Sequence, residues 1–343
     1  MEASGPASPA TTTPNTSKRP PTLMDMVSAY IYGFPLLLMN ETRCTALCRP
    51  GEAVNTLAHA YETPDATFRD IVRPNVDTLY SSAFLDVSEQ PVVLTLPPTG
   101  SRYVLVALFD AWSNNFAGAS TLDVVDSEQG GTFVVALAGW KGLRVLGSAT
   151  WFDAPTPGAW MLVRTEVLGE GDVAEANAIQ DAMTLSSLKA DAANSCSNLI
   201  SNSKETQCPV EVETPPEEVE KMSGVDFFSK LSEMMAEQGA LLPGDGPMLR
   251  TLAGMGVGPL ATVSVDTLRL SVKAQMQVSP FALVHSAAQS CSASCCCTDD
   301  ASPRTKFWVS IMHCWGLGPG GASQTAETHP KPYVCCHNAF LSH

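Results

Sequence analysis

Arg73-Pro74-Asn75-Val76-Asp77-Thr78-Leu79-Tyr80 is the stretch on which the reading of this chain turns. Pro74 fixes its own φ and pushes Arg73 toward an extended conformation. Asn75 and Asp77 are residues that hydrogen-bond nearby backbone, so the stretch reads as a tight polar turn. Thr78 to Val87 then carries β-branched, aromatic and aliphatic residues and reads as a strand. Arg73, Asn75, Asp77 and Tyr80 are thereby gathered at one turn and the first rungs of that strand. The plain structural alternative is that Asn75 and Asp77 hold the turn while Arg73 neutralises Asp77.

Beyond this strand the chain continues as short strand candidates separated by turn signals. They are Pro91–Leu96, Arg102–Asp110, Phe133–Ala138, Arg144–Ala149 and Trp160–Val167. A spacing of about ten residues points to an antiparallel β-sandwich or jelly-roll-like domain, so the fold class is mainly β. Neither a dinucleotide glycine fingerprint nor a phosphate-binding loop is present. A helix is expected from Asp172 to Leu188, capped by Asp172. Before the strands, residues 23–48 repeat apolar side chains at helical spacing, with Thr22 as cap. Gly33 and Pro35 predict a kink, or two helices, near Phe34. Residues 49–72 read as loop, and His59 within them as a hydrogen-bonded loop residue.

The expected organisation is a disordered leader over 1–22, a helix plus β-sandwich over 23–189 and a linker over 190–216. A helical segment over 217–280 and a Cys-rich tail over 281–343 complete it. In the helical segment Phe227, Phe228, Leu231, Met234 and Met235 form one apolar face, a second helix runs from Pro247 to Met255, and Asp266 opens a last one. Seven of the 11 cysteines lie between residues 291 and 336. His313, His329 and His337 lie among them, but pairs at a two-to-four-residue gap are missing, so no metal site is expected. The tail is expected to be disordered or an artefact of the gene model.

The chain has 343 residues, 45% of them hydrophobic, and a formal net charge of −15. That acidity opposes nucleic-acid binding, which needs clustered Lys and Arg, and opposes docking on anionic membrane. No apolar run is expected to reach the roughly 20 residues that span a bilayer, and no secretory signal is seen. The default expectation is a soluble protein of the cytoplasm, with an organelle as the alternative, and no cofactor is expected.

Several motifs resemble one family. They include Ala29-Tyr30-Ile31-Tyr32-Gly33-Phe34-Pro35-Leu36, Arg73 to Ser81, Leu85-Asp86-Val87 and Pro91-Val92-Val93-Leu94. Arg102-Tyr103, Asp110-Ala111-Trp112-Ser113-Asn114 and Trp160-Met161-Leu162-Val163-Arg164-Thr165 follow in order, then Met222-Ser223, Phe227-Phe228 and Asp245-Gly246-Pro247-Met248. Over residues 24 to 275 the chain resembles the domain of unknown function 1254 family. The resemblance implies a β-sandwich first domain, a helical connector, a second domain (domain of unknown function 1214) and oligomeric assembly. It implies no established activity. Where the second domain would begin, after residue 280, only Lys306-Phe307-Trp308-Val309-Ser310 echoes the pattern.

Three functional readings follow. In the first, the sandwich binds a small molecule or carbohydrate through Arg73, Asn75, Asp77, Tyr80, Arg102, Tyr103, Asp110, Trp112 and Asn114. Flat rings beside directional hydrogen-bonding groups are the usual content of a ligand pocket. The structural alternative pairs Arg102 with Asp110 across the two ends of one strand, and Trp140, Trp151 and Trp160 are expected in the core. In the second, a hydrolase or lyase uses Asp77 as general base, with Tyr80 or Arg73 steadying an oxyanion. In the third, the module serves homo-oligomeric assembly.

Overall fold

The computed structural model describes residues 21–64, 75–144, 146–188, 214–239 and 244–259. Arg73, Pro74, most of the linker, the helix expected at Asp266 and the Cys-rich tail lie outside the described residues.

The first sheet runs β1(Ala58–His59), β2(Thr78–Asp86), β8(Gly158–Glu166), β4(Val104–Asp110) and β5(Asn115–Ser120), all antiparallel. The second runs β7(Thr150–Ala154), β6(Gly131–Leu137), β3(Val92–Leu96) and β9(Thr184–Ser187), with β6 and β7 parallel. Ala83, Leu85, Val106, Leu108, Met161 and Val163 of the first sheet meet Val92, Leu94, Phe133 and Val135 of the second in one buried core. The mainly β sandwich expected from the spacing of strand signals is therefore the fold.

Several elements depart from the sequence reading. Of the strand expected over Arg144–Ala149, the described residues 144 and 146–149 form none; the strand is β7, just beyond them. The helix expected through Leu188 is α2(Val173–Ala182), and Thr184–Ser187 instead completes the edge of the second sheet against β3. Asp172 does not cap it with its side chain. Trp140, Trp151 and Trp160 are half-buried rather than core. Trp140 and Trp151 stack at 5.8 Å on one edge of the second sheet.

The N-terminal helix α1(Leu23–Leu47) is continuous, with Pro35 inside it, and neither breaks nor divides at Phe34. Thr22 and Asp25 form a capping box at its start. Three further helices, α3(Pro215–Lys221), α4(Gly224–Gln238) and α5(Gly246–Met255), pack on α1. Tyr30, Leu37, Phe227, Phe228, Leu231, Met235 and Leu252 build a second core there. Gly33 has a packing reason: a Cβ at that position would meet Leu231 Cδ2 at 2.6 Å. The helical face read from the Phe and Met spacing is thus core. Contrary to the sequence expectation, α1 is long and apolar enough to cross a membrane by length and composition, with just over half of its most apolar stretch buried inside the protein.

Candidate functional site

The eight described residues of the nine singled out from sequence do not converge. Strands β2 and β4 both flank β8, so Thr78 and Val104 share one end of the sheet while Asp86 and Asp110 share the other. Asn75, Asp77, Arg102 and Tyr103 lie at the first end. Asp110, Trp112 and Asn114 lie at the second, about 26 Å away along extended chain. Arg73 lies outside the described residues.

Most of these side chains serve the fold. Asn75 Oδ1 accepts from the backbone N–H of Asp77 at 2.7 Å and of Thr78 at 3.2 Å, which is the expected turn. Asp77 is exposed, and among the described residues no hydrogen bond joins its carboxylate to Tyr80.

Arg102 is buried and does not pair with Asp110. Its guanidinium donates to both carboxylate oxygens of Asp172, through Nη2 at 2.6 Å to Oδ1, and Nη1 reaches Glu166 O at 2.6 Å. The hydrogen bond from Arg102, joined by that from the Leu168 backbone N–H, holds the Asp172 carboxyl down to about 2. This is why Asp172 stands at the head of α2 without capping it. Tyr103 donates its backbone N–H to Glu166 Oε2 at 3.0 Å.

Asp110 organises the β4–β5 turn, accepting from the N–H groups of Trp112 and Asn114, each at 2.9 Å, and from Asn114 Nδ2. Trp112 is 1% exposed and sits against Tyr32 in the helical core, ring centroids 5.0 Å apart.

Tyr80 leads elsewhere. Alternation puts Ser81, Ala83 and Leu85 toward the sandwich core and Tyr80, Ser82 and Phe84 on the outer face of the five-stranded sheet. Cross-strand register extends each into a row: Tyr80 with Arg164 and Leu105; Ser82 with Leu162 and Ala107; Phe84 with Trp160 and Phe109. The Arg164 guanidinium lies over the Tyr80 ring, 5.4 Å from its centroid. It makes no ion pair among the described residues, and its buried Nε has no hydrogen-bond partner. Thr78 Oγ1, one rung along the same face, is buried and likewise unpartnered.

At the other end of the face Trp160 stacks on Phe84 at 5.8 Å and meets Phe109 at 5.6 Å. Its indole N–H donates to Ser82 Oγ at 2.8 Å. Leu162 and Ala107, between the two rows, are buried, whereas Tyr80, Arg164, Leu105, Trp160 and Phe109 are half-buried. The face thus offers a cation, flat rings and an apolar floor. Arg164 was not singled out from sequence, although strict alternation along Trp160-Met161-Leu162-Val163-Arg164 signals that it shares a face with Trp160.

His59, expected as a hydrogen-bonded loop residue, is hydrogen-bonded but lies on β1, and its partners were not read from sequence. His59 Nδ1 lies 2.7 Å from Ser81 Oγ, and Gln180 of α2 donates to Ser81 Oγ at 3.1 Å and to Tyr80 O at 3.1 Å. Ser81 is wholly buried, so this is a brace between β1, β2 and α2 and not an accessible nucleophile. Burial pulls the His59 imidazole below its ordinary value, against the pull of Asp181 and Glu52. Among the described residues no group of three or more His, Cys, Asp or Glu side chains is placed to hold a metal ion.

One solved structure shares the fold. The chain is similar to the VPA0106 protein from Vibrio parahaemolyticus, at 17% identity and a TM-score of 0.58, over 87% of this chain and 69% of that one. A crystal structure of an uncharacterized protein from Burkholderia cenocepacia matches at 12% identity and a TM-score of 0.29, over 53% of this chain and 47% of that one. No curated protein matches the sequence. The family model described as "Protein of unknown function (DUF1254)" matches residues 54–187, which run from the approach to β1 to the end of β9. Over those residues the β-sandwich of this chain is similar to the DUF1254 family of proteins of unknown function.

Proposed function

We propose that this chain is a small-molecule-binding β-sandwich module, and that its ligand lies on the outer face of the five-stranded sheet. One observation carries the reading. Arg164 stands half-buried on that face with neither an acidic partner nor an acceptor for its Nε among the described residues. Buried charges and polar atoms are ordinarily paired, and a half-buried guanidinium left without an anion marks a place where a ligand supplies one. Tyr80, Trp160 and Phe109 add flat apolar surface within the same three cross-strand rows. Of the residues named from sequence, Tyr80 belongs to this site. Asn75, Arg102 and Asp110 act in the turn, clamp and loop that hold the sheet ends.

Amide chemical-shift mapping with three probes (benzoate, phenol and cellobiose) tests the reading. Shifts gathered on residues 80–84, 105–109 and 160–164 are expected. Shifts gathered instead around the Asn75–Asp77 turn or the Trp140–Trp151 pair would overturn it.

A further inference from the structure

Resting on that reading, we infer that the ligand is an amphiphilic monocarboxylate, its acid group at Arg164 and its apolar body along Leu162 toward Trp160, and not a sugar. At the polar end of the face the Glu166 carboxylate, opposite Thr78, accepts from the Tyr103 N–H, and two neighbouring groups are left without a partner. Arg164 Nε is a buried donor with no partner, and Thr78 Oγ1 is a buried hydroxyl with none. Thr78 pairs with Glu166 and Tyr80 with Arg164 across the β2–β8 ladder, so Thr78 and Arg164 are diagonal neighbours. Their side chains stand roughly 7 Å apart at the backbone, a gap that one carboxylate fills. A guanidinium meets a carboxylate through parallel N–H bonds, and a hydroxyl donates a third. The Tyr80 ring lies 5.4 Å from the guanidinium carbon and holds the cation on this face.

Everything beyond Arg164 on the central strand is apolar or already satisfied. Leu105, Leu162 and Ala107 carry no polar side-chain atom. Ser82 and Trp160 are bonded to each other. Phe84 and Phe109 close the row on either side of Trp160. Arg164 lies four residues along the strand from Trp160, roughly 13 Å. A sugar bound there would bury several hydroxyls against groups that return no hydrogen bond, each at a cost. An unbranched or aryl acid buries only methylene or ring surface, which is favourable. Arg164 makes no ion pair among the described residues, Glu166 in the next row included, and so keeps its charge for one acid group.

The test is isothermal titration of the full chain with decanoate below its micellar concentration, with decan-1-ol and with cellobiose. Decanoate is expected to bind one to one, decan-1-ol about tenfold more weakly, and cellobiose not at all. Arg164→Gln is expected to weaken decanoate about tenfold and leave decan-1-ol unchanged, with the melting transition of the variant as the fold control. If Arg164→Gln does not fold, Thr78→Val replaces the unpartnered hydroxyl by a methyl and is expected to weaken decanoate alone. Equal binding of acid and alcohol overturns the carboxylate and leaves the face as a ligand site. So does cellobiose binding that Trp160→Leu abolishes. Failure of all three probes to bind overturns both this inference and the proposed function. Tight decanoate binding unmoved by either variant places the ligand elsewhere and overturns both as well.

Discussion

Trp112, Asn75 and Asp172 separate fold from function at single positions. Trp112 reads from sequence as a ligand-facing ring, yet it lies 1% exposed against Tyr32. Trp112→Ala should cost about 3–5 kcal/mol of stability in urea unfolding, as expected for a large core aromatic. Asn75→Ala removes the acceptor for two backbone N–H groups and should cost about 1 kcal/mol. Asp77→Asn, at an exposed side chain, should stay within about 0.5 kcal/mol of wild type. Asp172 has a pH signature. Its carboxyl is held at about 2 by Arg102, below its unfolded value, so its stabilising contribution is complete above about pH 4. That contribution is lost as pH falls through about 2. Acid titration of the melting temperature should therefore fall less steeply between about pH 4 and pH 2 in Asp172→Asn than in wild type, from a lower starting value.

At the scale of elements, Gly33 and Gln180 join parts that local sequence cannot join. Gly33 looks like a helix breaker when α1 is read alone. In the fold it lets Leu231 of α4 approach the α1 backbone, and packing on that side holds the helix through Pro35. Gly33→Ala gains about 1 kcal/mol of helix propensity but overpacks a buried contact at a cost of about 1–3 kcal/mol. Net destabilisation of about 1 kcal/mol is expected, relieved when Leu231→Ala is added; additive effects in that double-mutant cycle would contradict the contact. The same logic explains what was legible. Strong alternation made β2, β4 and β8 readable to within two residues. Asn115–Ser120, with Gly118 and three small neighbours, carries no strand pattern and is a strand only because β4 pairs with it. Thr184–Ser187 is too short for a period and continues an apparent helix until the edge of β3 captures it.

For the whole molecule, the composite pocket drawn from sequence fails for a topological reason. Residues close in sequence at the two ends of β4 are carried to opposite ends of one sheet, and each end is closed by its own polar device. The Arg102–Asp172 clamp closes one, and the Asp110 loop beneath the helical layer closes the other. The outer face between them was legible only in part. Tyr80 was visible because it adjoins an unusual turn. Arg164 was not, because an arginine in an alternating strand is ordinarily solvent-facing, and its lack of a partner is a property of the assembled sheet. The match to a solved structure at 17% identity concerns the fold, and the weight of the functional account rests on that one guanidinium.

The most direct measurement of it is arginine modification by phenylglyoxal, mapped by mass spectrometry with and without decanoate. Arg164 should react and be protected by decanoate, while Arg102, held by Asp172 and the Glu166 carbonyl, should resist in both conditions. An unreactive Arg164, or one whose reaction decanoate leaves unchanged, would contradict the account.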